Sequence, residues 1–293
     1  MKIALIDDMC SCCNDGGAQM NNWGMYQKGI KRGHKITMIT PQNMNIRSLE
    51  GTELVIFSNI VNFPREKIKE VCEKYPYIFH HKDFIFYSLR LYYPQQPLEK
   101  VNYHRDFWLD IFLKAKMHIT LSPLHWESFL IAYPELKKFK PVHIPSAIDT
   151  NLWNKIKDVK TIPNTVLGIN SLEPFKGRYE INSYAEKHPE LQFTFIGTAP
   201  KLNLPNCNYL GYIPNADLPK IFSQFEYFIH LPDRVDPFNR TVMEAYLCGC
   251  KIIGNKNIGC LSYDWDFKDR INVRKYLQQA PIAYWEEIEA IIK

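Results

Sequence analysis

Short apolar runs alternate with helix-compatible stretches along nearly the whole chain, and this rhythm narrows the fold more than any other feature. The run Ile3-Ala4-Leu5-Ile6 leads through a polar loop into a helix-compatible stretch at 20–32, which Gly33-His34 stops before a second run at 35–40. Runs this short and this apolar suit strands buried on both faces, and helices between them make the sheet parallel. Further runs at 53–57, 77–79, 118–121 and 142–145 continue the series. Residues 151–164, of mixed charge and with a proline, break it, and a new series opens with Thr165-Val166-Leu167-Gly168-Ile169. Its strands are expected at 166–169, 193–196, 208–210, 227–230 and 251–253, with helices at 179–187, 218–223 and 241–248. The expected fold is α/β: two Rossmann-like domains, 1–155 and 156–293, facing each other across a ligand-binding cleft.

Composition agrees and excludes some classes. A chain of 293 residues, 46% hydrophobic, can fill two modest cores. The formal charge of +5 is spread along the sequence, which permits an anionic partner without requiring one. The first apolar run ends at Asp7-Asp8, far short of a signal-peptide core, and no stretch reaches the roughly 20 apolar residues of a membrane span. A soluble, cytoplasmic protein is expected, with peripheral attachment to a membrane left open. Eight cysteines without a leader suit reduced thiols. Cys10, Cys12 and Cys13 are close together, but Cys248 and Cys250 are one residue apart and do not complete a zinc pattern, so no metal site is expected.

Open parallel sheets bind ligands beyond the carboxyl ends of their strands. After the first strand, Asn14-Asp15-Gly16-Gly17 lets backbone amides approach a phosphate or sugar at a helix N-terminus, although paired glycines also serve as plain turns. The absence of a GxGxxG pattern argues against an ordinary dinucleotide dehydrogenase. The strand at 77–79 runs into His80-His81-Lys82-Asp83, where a histidine oriented by a carboxylate could polarise a reacting group. Side chains alternate along an extended chain, so only one of the two histidines can face a given cleft. In the second half, Lys176 and Arg178 of Glu173-Pro174-Phe175-Lys176-Gly177-Arg178 can neutralise a diphosphate, or else form a solvated basic turn. The densest group is Asp233-Arg234-Val235-Asp236-Pro237-Phe238-Asn239-Arg240-Thr241-Val242-Met243-Glu244, where a loop and the start of a helix hold two carboxylates eight positions apart. First-turn amides between them lack intrahelical partners and suit a phosphate.

The stretch from Asp236 to Cys250, with Lys251-Ile252-Ile253-Gly254 after it, resembles the signature of the large retaining glycosyltransferase family four, whose fold is GT-B. In that family a carboxylate, seven residues and a glutamate precede a helix that ends in a small turn. Asp236 stands here for the usual first glutamate, and Asn239 where glycine is common. Gly16-Gly17 with Lys31-Arg32-Gly33-His34, the segment 144–149, Phe195-Ile196-Gly197-Thr198-Ala199-Pro200 and Tyr209-Leu210-Gly211-Tyr212 resemble other family segments in the same order. One departure is the missing arginine after the first strand of the second half, where Asn170-Ser171-Leu172 stands; Arg178 or Arg240 are the substitutes at hand.

The resemblance implies a metal-independent transferase with no cofactor and a nucleoside diphosphate sugar, UDP- or GDP-linked, as donor. Glu244 would meet the ribose and Asp236 the hydroxyls of the transferred sugar. Lys176, Arg178, Phe238, Asn239, Arg240 and Thr241 would surround the diphosphate, Gly211 and Tyr212 the base, and Gly197 would also belong to the donor site. Gly16, Gly17 and His80 or His81, with Asp83, would lie beside the reacting sugar. Asp264-Trp265-Asp266 imitates the metal-binding DxD of a different fold but reads as a surface turn. The acceptor is expected to be a glycan or lipid-linked sugar; a hydroxymethylated base in DNA, as for phage-type enzymes, is the alternative. A protein that binds nucleotide sugars without transferring them, or a sugar-nucleotide epimerase, is the remaining class.

Overall fold

The computed structural model describes residues 1–11, 16–84, 104–169, 171, 176–197 and 204–292. Sequence features at 12–15, 85–103, 170, 172–175 and 198–203 lie outside the described residues, among them Cys12, Cys13, Asn14, Asp15, Glu173 and Thr198. The chain divides into two compact units, Met1–Ala147 with Gln279–Lys293, and Ile148–Gln278. This differs from the expected division at 155/156, above all in the C-terminal segment, which joins the first unit. Burial is the reason: Ala280, Tyr284, Trp285 and Ile288 pack with Ile3, Leu5 and Met25. The Trp285 indole donates to the Met25 carbonyl at 2.8 Å, and Glu289 binds Arg32 and His34.

In the first unit β1 (Lys2–Ile6), β2 (Lys35–Ile39), β3 (Leu54–Phe57), β4 (Tyr77–His80), β5 (His118–Thr120) and β6 (Val142–His143) form a sheet in the order β2-β1-β3-β4-β5-β6. Every pairing is parallel. Alternate strand residues feed two cores, as the period of two requires. Ile3, Leu5, Ile56 and Ile78 face Met25 of α1 (Gly17–Lys31) and the C-terminal segment. Ala4, Ile6, Phe57 and Phe79 face α2 (Arg65–Lys74), α3 (Arg105–Lys114) and α4 (Pro123–Ala132) through Val71, Phe112 and Phe129.

The second unit holds β7 (Ile162–Ile169), β8 (Gln192–Ile196), β9 (Cys207–Gly211), β10 (Phe225–His230) and β11 (Lys251–Gly254), all parallel, in the order β11-β10-β7-β8-β9. Its helices are α5 (Arg178–Lys187), α6 (Leu218–Phe222) and α7 (Arg240–Leu247); α8 (Arg270–Ala290) starts in this unit and ends in the first. Strand β7 begins at Ile162, inside the stretch expected as linker, with its first three residues exposed. In each sheet the chain order reverses once, between β1 and β3 and between β7 and β10, and such switch points open a crevice at the strand ends.

Histidines line the first core. His118 Nε2 donates to the Phe112 carbonyl at 3.0 Å, which leaves Nδ1 to accept from His81 Nε2, also at 3.0 Å. Burial pushes His118 down to about 4 and holds His81 and His80 well below their ordinary value; the neighbouring His118 and Lys82, respectively, add to the effect. Unfolding frees these rings to take up protons near pH 6.5, so their stabilisation is present above that pH and lost as pH falls towards the folded values. Urea unfolding followed between pH 7 and 4.5 should therefore show stability falling by up to about 1.4 kcal/mol per pH unit for each histidine. A profile that stays flat would contradict the buried neutral rings.

Candidate functional site

The best-defined polar site lies at the switch point of the second unit, where β7 and β10 end side by side. The chain leaving β10 is strapped in place: Asn255 and Asn257 amides both donate to the Pro232 carbonyl, at 2.8 and 2.9 Å. Asp236 forms a bridge with Ile258, its N–H donating to Asn257 and its carbonyl accepting from Gly259. Phe238 is buried beneath, its carbonyl accepting from Cys260. Gly177 brings the other loop to this point. It sits at φ +86°, and a Cβ there would lie 1.9 Å from the Leu231 carbonyl oxygen, so only glycine lets the two backbones meet. Its neighbour Lys176 consequently reaches Asp236, Nζ to Oδ2, at 3.2 Å.

Asp236 is only 9% exposed. Burial by itself would raise its carboxyl, but the Lys176 ammonium and the Asn239 amide outweigh that and hold it well below the usual carboxylate range. His230 Nε2 lies 3.3 Å and Asn239 Nδ2 2.8 Å from Oδ2. Asn239 also starts α7: it occupies the left-handed region at φ +62°, which asparagine tolerates better than most residues, and its Oδ1 accepts from Val242 N–H at 2.9 Å. One turn on, Arg240 and Glu244 pair at 3.2 Å with side chains 10% and 8% exposed. Burial raises the Glu244 carboxyl against the opposing pull of Arg240, and burial lowers Arg240 against the opposing pull of Glu244. The helix closes at Gly249, where Gly249 N–H donates to Tyr246 and Cys250 N–H to Ala245, the Schellman pattern.

The other expected residues of this unit fall near strand ends. Gly197 follows β8, and its N–H donates to the carbonyl of Gly211, the last residue of β9, at 2.8 Å. Tyr212 beside it is 74% exposed. Arg178 opens α5, directly after Gly177, and Thr241 is the second residue of α7. Asp264 and Asp266 are exposed and flank Trp265, which stacks on Tyr263 at 4.2 Å and on Tyr276 at 5.7 Å. Among the described residues no cluster of three or more His, Cys, Asp or Glu is arranged to hold a metal ion.

In the first unit Gly16 and Gly17 start α1 at the β1/β3 switch point. A Cβ on Gly16 would lie 2.3 Å from the Gln19 Oε1, so the glycine makes room for that buried amide. Next to it is a network that sequence reasoning missed: Asn22 Nδ2 donates to Asp7 at 2.6 Å and to Ser58 Oγ at 2.9 Å, all three buried. His80 and His81 project to opposite faces of the sheet, as alternation demands. His80 packs on Tyr284 at 4.7 Å and lies 2.7 Å from the Lys82 ammonium; His81 lies between Phe79 and Phe129. Both rings are buried, whereas Asp83 is half-buried. Asp7, Asn22 and His230 escaped notice although strand-end position, the rule that singled out His80, applies equally to Asp7 and His230.

No protein-family model and no curated protein matches the chain. Solved structures do. Sucrose-phosphate synthase from Thermosynechococcus elongatus superimposes with a TM-score of 0.74 over 99% of this chain and 98% of that one, at 14% identity. The fold is GT-B. Anabaena HepE in complex with UDP-glucose gives 0.61 over 96% and 92% at 14% identity. An alpha-glucosyltransferase in complex with UDP-glucose and DNA containing an abasic site gives 0.60 over 100% and 99%, again at 14%.

Placing alanine at Gly177 forces a Cβ into the Leu231 backbone and a left-handed residue into strain. Gly177→Ala should cost about 2 kcal/mol or more of stability, read by chemical unfolding. The same substitution should weaken any ligand held by Lys176 and Asp236, whereas an unchanged unfolding midpoint would show that the loops are not pressed together.

Proposed function

We propose that the chain is a retaining glycosyltransferase of the family-four type, which moves a sugar from a nucleoside diphosphate sugar, UDP- or GDP-linked, to a hydroxyl acceptor. The observation that carries this reading is the placement of the Lys176 ammonium against the ionised Asp236 at the β7/β10 switch point, with Glu244 one helical stretch away. Lys176 and the first-turn amides of α7 offer positive potential to a diphosphate that gains charge as it leaves. Glu244, buried and already partnered by Arg240, would accept from ribose hydroxyls, and Asp236 from hydroxyls of the transferred sugar. Because Arg240 is turned to Glu244, Arg178 becomes the better substitute for the arginine the family carries after its first donor-domain strand.

The bond from the anomeric carbon to the β-phosphate oxygen breaks and a bond to the acceptor oxygen forms on the same face, while the acceptor proton passes to the departing phosphate. No cofactor enters this reaction. In the first unit Gly16, Gly17 and His80 or His81, with Asp83, would serve the reacting sugar; burial and the adjacent Lys82 ammonium keep His80 neutral, suited to hydrogen bonding rather than to carrying charge. The acceptor on this reading is a glycan or lipid-linked sugar, met in the cytoplasm or at a membrane surface; among the described residues no helix is long and apolar enough to cross a membrane.

A second reading of the acceptor has its own support. The alpha-glucosyltransferase in complex with UDP and a 13-mer DNA containing a HMU base aligns over 100% of both chains, with a TM-score of 0.62. A hydroxymethylated base is then the acceptor, and binding to duplex DNA should weaken steeply with salt, by roughly 0.9 log unit per phosphate contact for each tenfold rise.

The donor reading is tested by thermal stabilisation with UDP and GDP. The matching nucleotide at about 100 times its Kd should add about 2.7 kcal/mol. Lys176→Ala should remove that gain, as should Glu244→Gln, which keeps an acceptor oxygen for the Arg240 guanidinium. Incubation with the corresponding nucleotide sugar should release nucleoside diphosphate; donors left intact by the native protein, together with no stabilisation, would overturn the assignment.

A further inference from the structure

Resting on the donor reading above, the structure also assigns work to His230, which the family resemblance does not name, and turns Asn239, expected beside the diphosphate, to a different task. We propose that Asn239 is a positioning residue which clamps one oxygen of Asp236, and that His230 is the positioning residue which anchors the Asn239 amide, so that the other oxygen of Asp236 faces the transferred sugar.

A backbone N–H only donates, so the bond from Val242 N–H at 2.9 Å fixes the Asn239 carbonyl oxygen towards the helix. The amide nitrogen therefore points the other way. There it finds Asp236 Oδ2 at 2.8 Å and His230 Nε2 at 2.7 Å. Two donors cannot share that second contact, so His230 Nε2 accepts and the ring carries its proton on Nδ1. One N–H of the amide is thus anchored by the histidine and the other holds the carboxylate. His230 is the last residue of β10 and buried, and Asn239 is held by α7, so both supports are parts of regular elements.

Both hydrogen bonds to the Asp236 carboxylate fall on Oδ2, from Lys176 at 3.2 Å and Asn239 at 2.8 Å, while His230 Nε2, turned to the Asn239 amide, lies 3.3 Å from the same oxygen. Among the described residues none falls on Oδ1. A carboxylate held by one oxygen cannot turn, and its second oxygen presents lone pairs in a fixed direction. Its natural partner is a hydroxyl donor, because Asp236 is acceptor-only and would repel phosphate, and with the ribose assigned to Glu244 that hydroxyl belongs to the transferred sugar. The clamp therefore acts on the transferred group and leaves the nucleotide to Lys176 and Glu244.

The experiment compares His230→Ala and Asn239→Gly with the native chain, using UDP and UDP-glucose, or GDP and GDP-mannose if UDP does not bind. Glycine suits the left-handed backbone of position 239 and is a tolerated N-cap, so that variant keeps its fold. Both should lose about tenfold or more in kcat/KM for hydrolysis of the nucleotide sugar, while Kd for the free diphosphate changes less than about twofold. His230→Gln, which restores an acceptor for the Asn239 amide, should recover part of the loss. Equal losses for diphosphate and sugar donor would reduce the clamp to a structural support and overturn the proposal, as would unaltered kinetics. Nitrogen-15 shifts of the His230 ring give an arm independent of turnover: protonation at Nδ1 is expected, and a proton at Nε2 of the neutral ring would overturn the clamp even if no donor is bound. If no nucleotide binds while Nδ1 carries the proton, the donor reading fails, and with it the clamp's task toward a transferred sugar, although the hydrogen-bond arrangement around Asp236 stands.

Discussion

The close approach of Gly177 to the Leu231 backbone is the constraint on which the second unit's chemistry depends. It lets a loop after β7 touch the chain leaving β10, two segments far apart in sequence, and so carries the Lys176 ammonium to the Asp236 carboxylate. An ion pair built on a buried carboxylate is not a cheap source of stability, since Asp236 loses its water while Lys176 stays 34% exposed. What it supplies here is a fixed location for charge. With Lys176 in place, Asp236 stays ionised although burial opposes it. Glu244, also buried and paired, has the opposite balance: burial outweighs Arg240 and its carboxyl is raised. Two carboxylates eight positions apart are thereby made chemically unlike by their surroundings.

Topology explains why polar networks occur where they do. Each sheet reverses its strand order once, and in both units polar residues just beyond that reversal are buried or half-buried and hydrogen-bonded to one another: Asp7, Asn22 and Ser58 in the first, Lys176, Asp236, Asn239 and His230 in the second. Adjacent strands whose following helices diverge to opposite sides leave a gap that apolar side chains do not fill. The first unit closes its gap with amides and a carboxylate, the second with charge.

Much of this was legible because the signals are local. Strand β10 and helix α7 show in the sequence as a short apolar run and an amphipathic stretch ended by glycine, and the Asp236 to Glu244 spacing needs no long-range information. Helix α4 was not singled out because its sequence, PLHWESFLIA, is apolar on most faces and has no stripe to find. Helix α8 did carry a stripe, with Val273, Leu277, Ala280, Tyr284 and Ile288 buried at helical spacing, yet Pro281 interrupts it. Which sheet its end joins depends on Trp285 finding the Met25 carbonyl, a contact that composition and periodicity cannot specify.

Aspartate at 236 and asparagine at 239 have a common physical account. A left-handed residue is needed ahead of α7, and glycine or asparagine meets that need at little cost. Glycine would leave the helix N-terminus and the carboxylate without a side-chain partner at this position. Asparagine supplies both at once, its oxygen to Val242 and its nitrogen to Asp236. A glutamate at 236 would carry its carboxylate one methylene further, past the reach of an amide held this rigidly to the helix. The shorter aspartate keeps its oxygen within 2.8 Å of that amide and 3.2 Å of Lys176. Aspartate and asparagine thus form one solution, in which each residue makes sense of the other.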